Sequence, residues 1–216
     1  MTRRVEQIAE EAGQHQLDVL AAFHPRNPDP AGHGTLVLLG PAGPGFWPRF
    51  IRSPEYLDAA PDPMDRWSRR VIDRLADKFD ARALFPFGQS PPLPFVSWAL
   101  ESGWFWQSPV GLLVHAQQGL WASMRGALLL PDRIDLPPPP TNPCLGCADK
   151  PCLSACPVGA LSGDGYDLGA CHAYLDSPAG SGCMSGGCKV RAACPISRQF
   201  GRNPDQSSHH MKAFHR

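Results

Sequence analysis

Apolar positions in the first half of the chain follow two periods. Val5, Ile8, Ala9 and Ala12 share one helical face, which predicts a helix from Val5 to about Leu17. Asp18-Val-Leu-Ala-Ala-Phe23 and Thr35-Leu-Val-Leu-Leu39 are apolar runs of strand length, the second apolar enough to be buried on both faces. Gly40-Pro-Ala-Gly-Pro-Gly45 then reads as a loop. It lacks the glycine order and the lysine of a phosphate cradle, and its prolines remove amides that a phosphate would need. Trp67, Val71, Leu75 and Phe79 recur at every fourth position, predicting a helix over Pro63 to Phe79 with Asp62 near its positive end.

Further along, Ala81 to Phe85 reads as a strand and Phe95 to Glu101 as a short helix stopped by Gly103. Val110 to Ala116 and Leu120 to Leu130 are apolar enough for two paired strands. Asp132-Arg-Ile-Asp-Leu-Pro-Pro-Pro-Pro-Thr-Asn-Pro143 predicts a stiff extended connector, because consecutive prolines favour polyproline II. The expected organisation is an α/β domain over residues 1–131, a Pro-rich linker over 132–143, and a small loop-rich domain over 144–216, giving an α+β protein.

Composition narrows the function classes. Among 216 residues, 25 Pro and 21 Gly imply long irregular stretches, while 43% hydrophobic residues still suffice for a core. The formal net charge is zero, which argues against nucleic-acid binding through a basic face. The apolar runs are too short to span a membrane. Glu6, Glu10 and Glu11 stand where an export signal would need its apolar segment, so the expected compartment is cytoplasmic and reducing.

All eight cysteines lie between Cys144 and Cys194. They read Cys144-x2-Cys147-x4-Cys152-x3-Cys156-Pro157 and Cys171-x11-Cys183-x4-Cys188-x5-Cys194-Pro195, each set ending in Cys-Pro. A disulfide framework fits poorly with a reducing compartment and with the absence of cysteines elsewhere to staple. Structural zinc favours paired Cys-x2-Cys knuckles, and the sequence has that spacing once, at Cys144 and Cys147. Closely spaced thiols in a looping backbone instead suit a cubane iron-sulfur core. A single cluster with spare cysteines is the narrower version of that expectation.

Cys144-Leu-Gly-Cys-Ala-Asp-Lys-Pro-Cys-Leu-Ser-Ala-Cys-Pro-Val-Gly-Ala-Leu161 resembles the cluster-binding segment of bacterial two-cluster ferredoxin domains. In such domains the Cys-Pro cysteine of each motif ligates the other cluster. The resemblance therefore implies two [4Fe-4S] clusters, one on Cys144, Cys147, Cys152 and Cys194, the other on Cys156, Cys171, Cys183 and Cys188. Gly180-Ser-Gly182 and Ser185-Gly-Gly187 would let backbone amides approach the sulfurs.

A wider resemblance covers Leu84-Phe-Pro-Phe-Gly-Gln-Ser-Pro-Pro-Leu-Pro94, Glu101-Ser-Gly-Trp-Phe-Trp106, Gly111-Leu-Leu-Val114 and Gly126-Ala-Leu-Leu-Leu130, followed by the cysteines. In order and spacing it is similar to the epoxyqueuosine reductase family, in which a corrinoid-binding, nitroreductase-like domain of the cobalamin-reductase type precedes a two-cluster ferredoxin domain. This implies cobalamin as a further cofactor, with Gln89, Gly103 and Trp104 as cofactor-binding candidates. Gln89 stands where those reductases carry an acidic proton donor, and an amide cannot act as a general acid.

Trp98, Trp104, Phe105, Trp106 and Trp121 could line a flat macrocycle or simply fill a core. His115 reads as a core histidine before a metal ligand, and no nucleophile elbow or free Cys/His pairing is present for hydrolysis. His172 could bond a cluster sulfur, and the His209–His215 segment reads as a mobile tail or a cap over the cysteine domain. Two functions are expected: a reductase passing single electrons from two clusters to a site in the N-terminal domain, or a ferredoxin-type carrier with no catalysis of its own. The partner is then a redox protein or a small-molecule substrate.

Overall fold

The computed structural model describes residues 3–26 and 29–215. The chain begins α1 (Arg3–Gly13), β1 (Leu17–Phe23), β2 (Thr35–Pro41), α2 (Phe46–Phe50), α3 (Pro54–Leu57), α4 (Pro63–Lys78), β3 (Arg82–Leu84) and α5 (Phe95–Glu101). It continues with β4 (Phe105–Gln107), β5 (Leu113–His115) and β6 (Gly126–Leu130). The cysteine region carries β7 (Leu161–Ser162), β8 (Gly165–Tyr166), α6 (Leu168–Asp176), α7 (Ser181–Gly186), α8 (Lys189–Ala193), α9 (Pro195–Phe200) and α10 (Pro204–Phe214). Helices and strands are mixed in an α+β arrangement. Among the described residues, no helix is long and apolar enough to cross a membrane.

The chain divides into two compact units. The first runs to Phe105 and adds Ser123–Pro140; the second joins Trp106–Ala122 to the residues from Thr141 on. Sequence boundaries at 131 and 143 miss this, because a segment lying between N-terminal elements belongs with the cysteines.

In the first unit a four-stranded sheet has the order β1-β2-β6-β3, with every pairing antiparallel. Thr35 faces Leu130 and Leu39 faces Gly126, so β2 lies inside the sheet and is buried along its whole length. Val37, Leu39, Leu128 and Leu130 join Ile8 of α1 and Trp67, Val71, Ile72 and Leu75 of α4 in one core. Burying each such side chain contributes roughly 1.5–3 kcal/mol. Arg4 of α1 donates to the Phe79 carbonyl at 2.7 Å, capping the end of α4.

Three expectations need correction. The loop expected over 40–45 is shorter, because Gly40 and Pro41 extend β2, and α2 follows at Phe46. Phe46, Phe50 and Trp67 form an aromatic cluster there, with the Phe46 and Trp67 centroids 5.3 Å apart and edge-on. The strands expected at 110–116 and 120–130 do not pair with each other. Leu113–His115 pairs with β4, while only Gly126–Leu130 is a strand, set between β2 and β3. Reciprocal bonds of 3.0 Å between His115 and Gly119 turn the chain back and end the first run. Third, of the two readings of the histidine-rich segment, mobile tail or cap, the mobile one gives way to the regular helix α10, started by the Asn203 side chain accepting from the Asp205 amide at 2.8 Å.

Candidate metal centre

The second unit is built from short helices, since Gly and Pro punctuate the chain every few residues. Pro195 opens α9 directly after Cys194, which has the extended backbone of a cap residue. Proline at the first helical position costs no hydrogen bond, so Cys194 is held at a fixed junction between α8 and α9.

Cys144, Cys147, Cys152 and Cys194 line one cavity of about 160 Å³. Val114, Leu120 and Ile196 supply much of its apolar wall, and Lys150 sits at its edge. Burial pushes the Cys144 thiol up, and Cys194, Cys152 and Cys147 push it further in the same direction. The Cys152 thiol is also raised, first by burial, with Cys194 and Cys147 adding to it. Burial and the neighbouring sulfurs thus favour the neutral thiol at Cys144 and Cys152.

The remaining cysteines form a second group. Burial raises the Cys183 thiol, and Cys188 and Cys156 raise it further. The Tyr166 hydroxyl donates to Cys171 Sγ at 3.4 Å, and the tyrosine also feels Cys188. All eight cysteines are free thiols. Among the described residues, no three His, Cys, Asp or Glu side chains converge as the ligands of a single metal ion would.

Trp106–Ala122 is fastened to the cysteine region by identifiable bonds. The Leu120 amide donates to Ser197 Oγ at 2.8 Å, and Arg202 Nη1 donates to the Trp121 carbonyl at 2.9 Å with its guanidinium over the Trp121 ring. Gly119 has φ +59°, and a Cβ there would lie 2.5 Å from the Ser197 amide nitrogen. Only glycine fits, both for conformation and for space.

His115, His172 and His215 have structural partners. His115 is buried, and its Nδ1 accepts from the Gln118 amide at 3.1 Å, so the neutral ring carries its proton on Nε2. His172 bonds no sulfur. Its ring stacks on Phe214 and His215, and its Nδ1 lies 2.6 Å from His215 Nδ1. His215 Nε2 is 3.0 Å from Asp176 Oδ1. The pattern closes when His172 donates through Nδ1 and His215 donates through Nε2. The tail helix therefore caps α6, and Tyr166 takes the sulfur contact expected of His172. Nothing in sequence marked Tyr166 beyond its place just before Cys171.

The cofactor-binding candidates lie in the first unit. Gln89 is exposed in the loop after β3. Gly103 has φ +71°, and a Cβ there would meet Pro139 at 2.8 Å, so close packing of the proline run explains the glycine. Trp104 is half-buried, its amide donating to Ser102 Oγ at 3.2 Å. Trp98 is fully buried with its indole donating to Asp29 at 3.0 Å, as a core aromatic would. Trp98, Trp104 and Phe105 belong to the first unit, Trp106 and Trp121 to the second. Gly187, expected to admit a sulfur, faces Trp121 and Ser207 instead.

No family model matches the chain. A similar protein is the methylamine utilization ferredoxin-type protein MauM of Paracoccus denitrificans (strain Pd 1222), 32% identical over 99 residues. Those residues are 45% of this chain and 41% of MauM, so the chain matches less than half the length of that relative. Over just under half of its residues, then, the chain is similar to a ferredoxin-type protein.

Proposed function

We propose that this protein is a ferredoxin-type electron carrier with two [4Fe-4S] clusters, one held by Cys144, Cys147, Cys152 and Cys194 and the other by Cys156, Cys171, Cys183 and Cys188. The observation that carries it is the cavity in which Cys194, distant in sequence, joins the first three cysteines. Zinc bound by four thiolates needs all sulfurs about 2.3 Å from one point. Four thiols spread around a cavity of about 160 Å³ leave room for a polynuclear core. The similarity to a ferredoxin-type protein points the same way.

Such clusters supply one-electron transfer with little rearrangement. The chain's own residues do the rest. Val114, Leu120 and Ile196 give the first group of thiols an apolar wall, which strengthens charge interactions on that side. Cys194 and Pro195 tie α8 and α9 to the same site, and Ser197 anchors the Gly119 turn over it. The expected partner is a redox protein exchanging single electrons.

A corrinoid-dependent reduction in the first unit is the narrower reading. It asks Gln89, Gly103 and Trp104 to face a cofactor, whereas Gly103 already packs against Pro139 and Gln89 offers no acidic proton. Iron, zinc and cobalt analysis with absorption spectra, on anaerobic protein before and after cobalamin addition, tests both. About eight iron atoms per chain without retained cobalamin is the expected result. Zinc in place of iron overturns the proposal, and retained cobalamin replaces the carrier by the reductase.

A further inference from the structure

The two thiol groups have different surroundings. Each has one lysine: Lys150 acts on Cys144, and Lys189 acts on Cys183. The second group has two additional polar residues. Tyr166 donates its hydroxyl hydrogen to Cys171 Sγ at 3.4 Å. Arg191 stands in α8, three positions after Cys188, the residue that caps the start of that helix. Its Nη1 donates to the Leu120 carbonyl at 2.5 Å, which fixes the guanidinium inward.

Burial lowers the basicity of Arg191, and a negative charge at Cys188, or less directly at Tyr166, would oppose that shift. A desolvated guanidinium favours a negative charge beside it. Around the first group, among the described residues, no side chain donates a hydrogen bond to Sγ of Cys144, Cys147, Cys152 or Cys194, and the wall is largely apolar.

We propose that Arg191 and Tyr166 make the second site the higher-potential one, so that an electron entering at the first cavity comes to rest on the cluster held by Cys156, Cys171, Cys183 and Cys188. This rests on the two-cluster proposal above. Reduction adds one negative charge to a cluster, and a fixed cation or a hydrogen bond to sulfur favours the more negative state. In the internal step the first cluster would lose one electron and the second would gain it, with no proton moved. A low-potential one-electron reductant reloads the first, and a one-electron acceptor protein discharges the second.

The test is an anaerobic redox titration followed by electron paramagnetic resonance and visible absorption. Wild type should show two potentials. Arg191→Gln and Tyr166→Phe should each lower the higher potential and leave the lower one in place, while Arg191→Lys, which keeps the charge, should shift it less than Arg191→Gln does. Tyr166→Phe removes one hydroxyl from a partly exposed residue, so it remains informative if Arg191→Gln fails to assemble. Variants with full iron content and both potentials unchanged, or with only the lower one moved, overturn the inference. Failure of the two-cluster proposal itself would register separately, as wild-type protein with far fewer than about eight iron atoms.

Discussion

Replacing Cys194 by alanine together with a second cysteine separates two ligand schemes that share the same eight thiols. If ligands followed sequence order, Cys194 would serve with Cys171, Cys183 and Cys188. The structure instead sets Cys194 with Cys144, Cys147 and Cys152 around one cavity of about 160 Å³. On the two-cluster proposal each site would hold four irons, so losing one should take the chain from about eight iron atoms to about four. Single variants give that count under either scheme, and pairs of variants distinguish them. With the crossed ligands, Cys144→Ala combined with Cys194→Ala damages one site and leaves about four irons, whereas Cys183→Ala combined with Cys194→Ala leaves almost none. Sequence-ordered ligands give the reverse. Iron and sulfide analysis after anaerobic reconstitution reads the difference, with circular dichroism confirming that the helices persist. Near-complete iron loss in the first pair, with about four irons in the second, would refute the reasoning.

Gly119→Ala should destabilise the second unit by about 2 to 5 kcal/mol, the sum of a left-handed backbone penalty and overpacking against Ser197. A chemical denaturation midpoint unchanged from wild type would contradict it. Glu55 is held below its ordinary value near 4.5, chiefly by hydrogen bonding from Arg70, which binds both carboxylate oxygens. Because the folded value is the lower one, that pair stabilises fully above about pH 4.5 and the contribution disappears as pH falls through the folded value. Glu55→Gln should therefore cost about 1 to 3 kcal/mol at pH 7 and progressively less in acid, measured by denaturation at several pH values. A fragment starting at Thr141 lacks Val114 and Leu120 of the cavity wall, and should incorporate less iron than the full chain on reconstitution.

Much of the first unit was legible because its elements carry strong local periodicity. The α4 stripe of Trp67, Val71 and Leu75 and the unbroken apolar run of β2 are dictated by what each element must bury. The pairing of Leu120 to Leu130 was not legible. An apolar run does not reveal where a turn interrupts it, and here the interruption depends on Gly119 meeting Ser197, distant in sequence. The cysteines announced themselves through composition and spacing. Tyr166 and Arg191 did not, since a tyrosine near one thiol and an arginine one helical turn from another are unremarkable until burial shows which charges lack water.

The same limit explains the displaced boundary. Composition changes sharply at the proline run, and a reader of sequence cuts the chain there. Packing cuts it elsewhere, because eight thiols need apolar surroundings that a segment rich in Gly, Pro and Cys cannot supply alone. Trp106–Ala122 makes up the deficit: Val114 and Leu120 line the first cavity, and the Leu120 and Trp121 carbonyls accept from Arg191 and Arg202. That loan of apolar surface does more than complete a core. The Leu120 carbonyl receives Arg191 Nη1 while its side chain walls the first cavity, so one residue fastens α8 to the wall of that cavity.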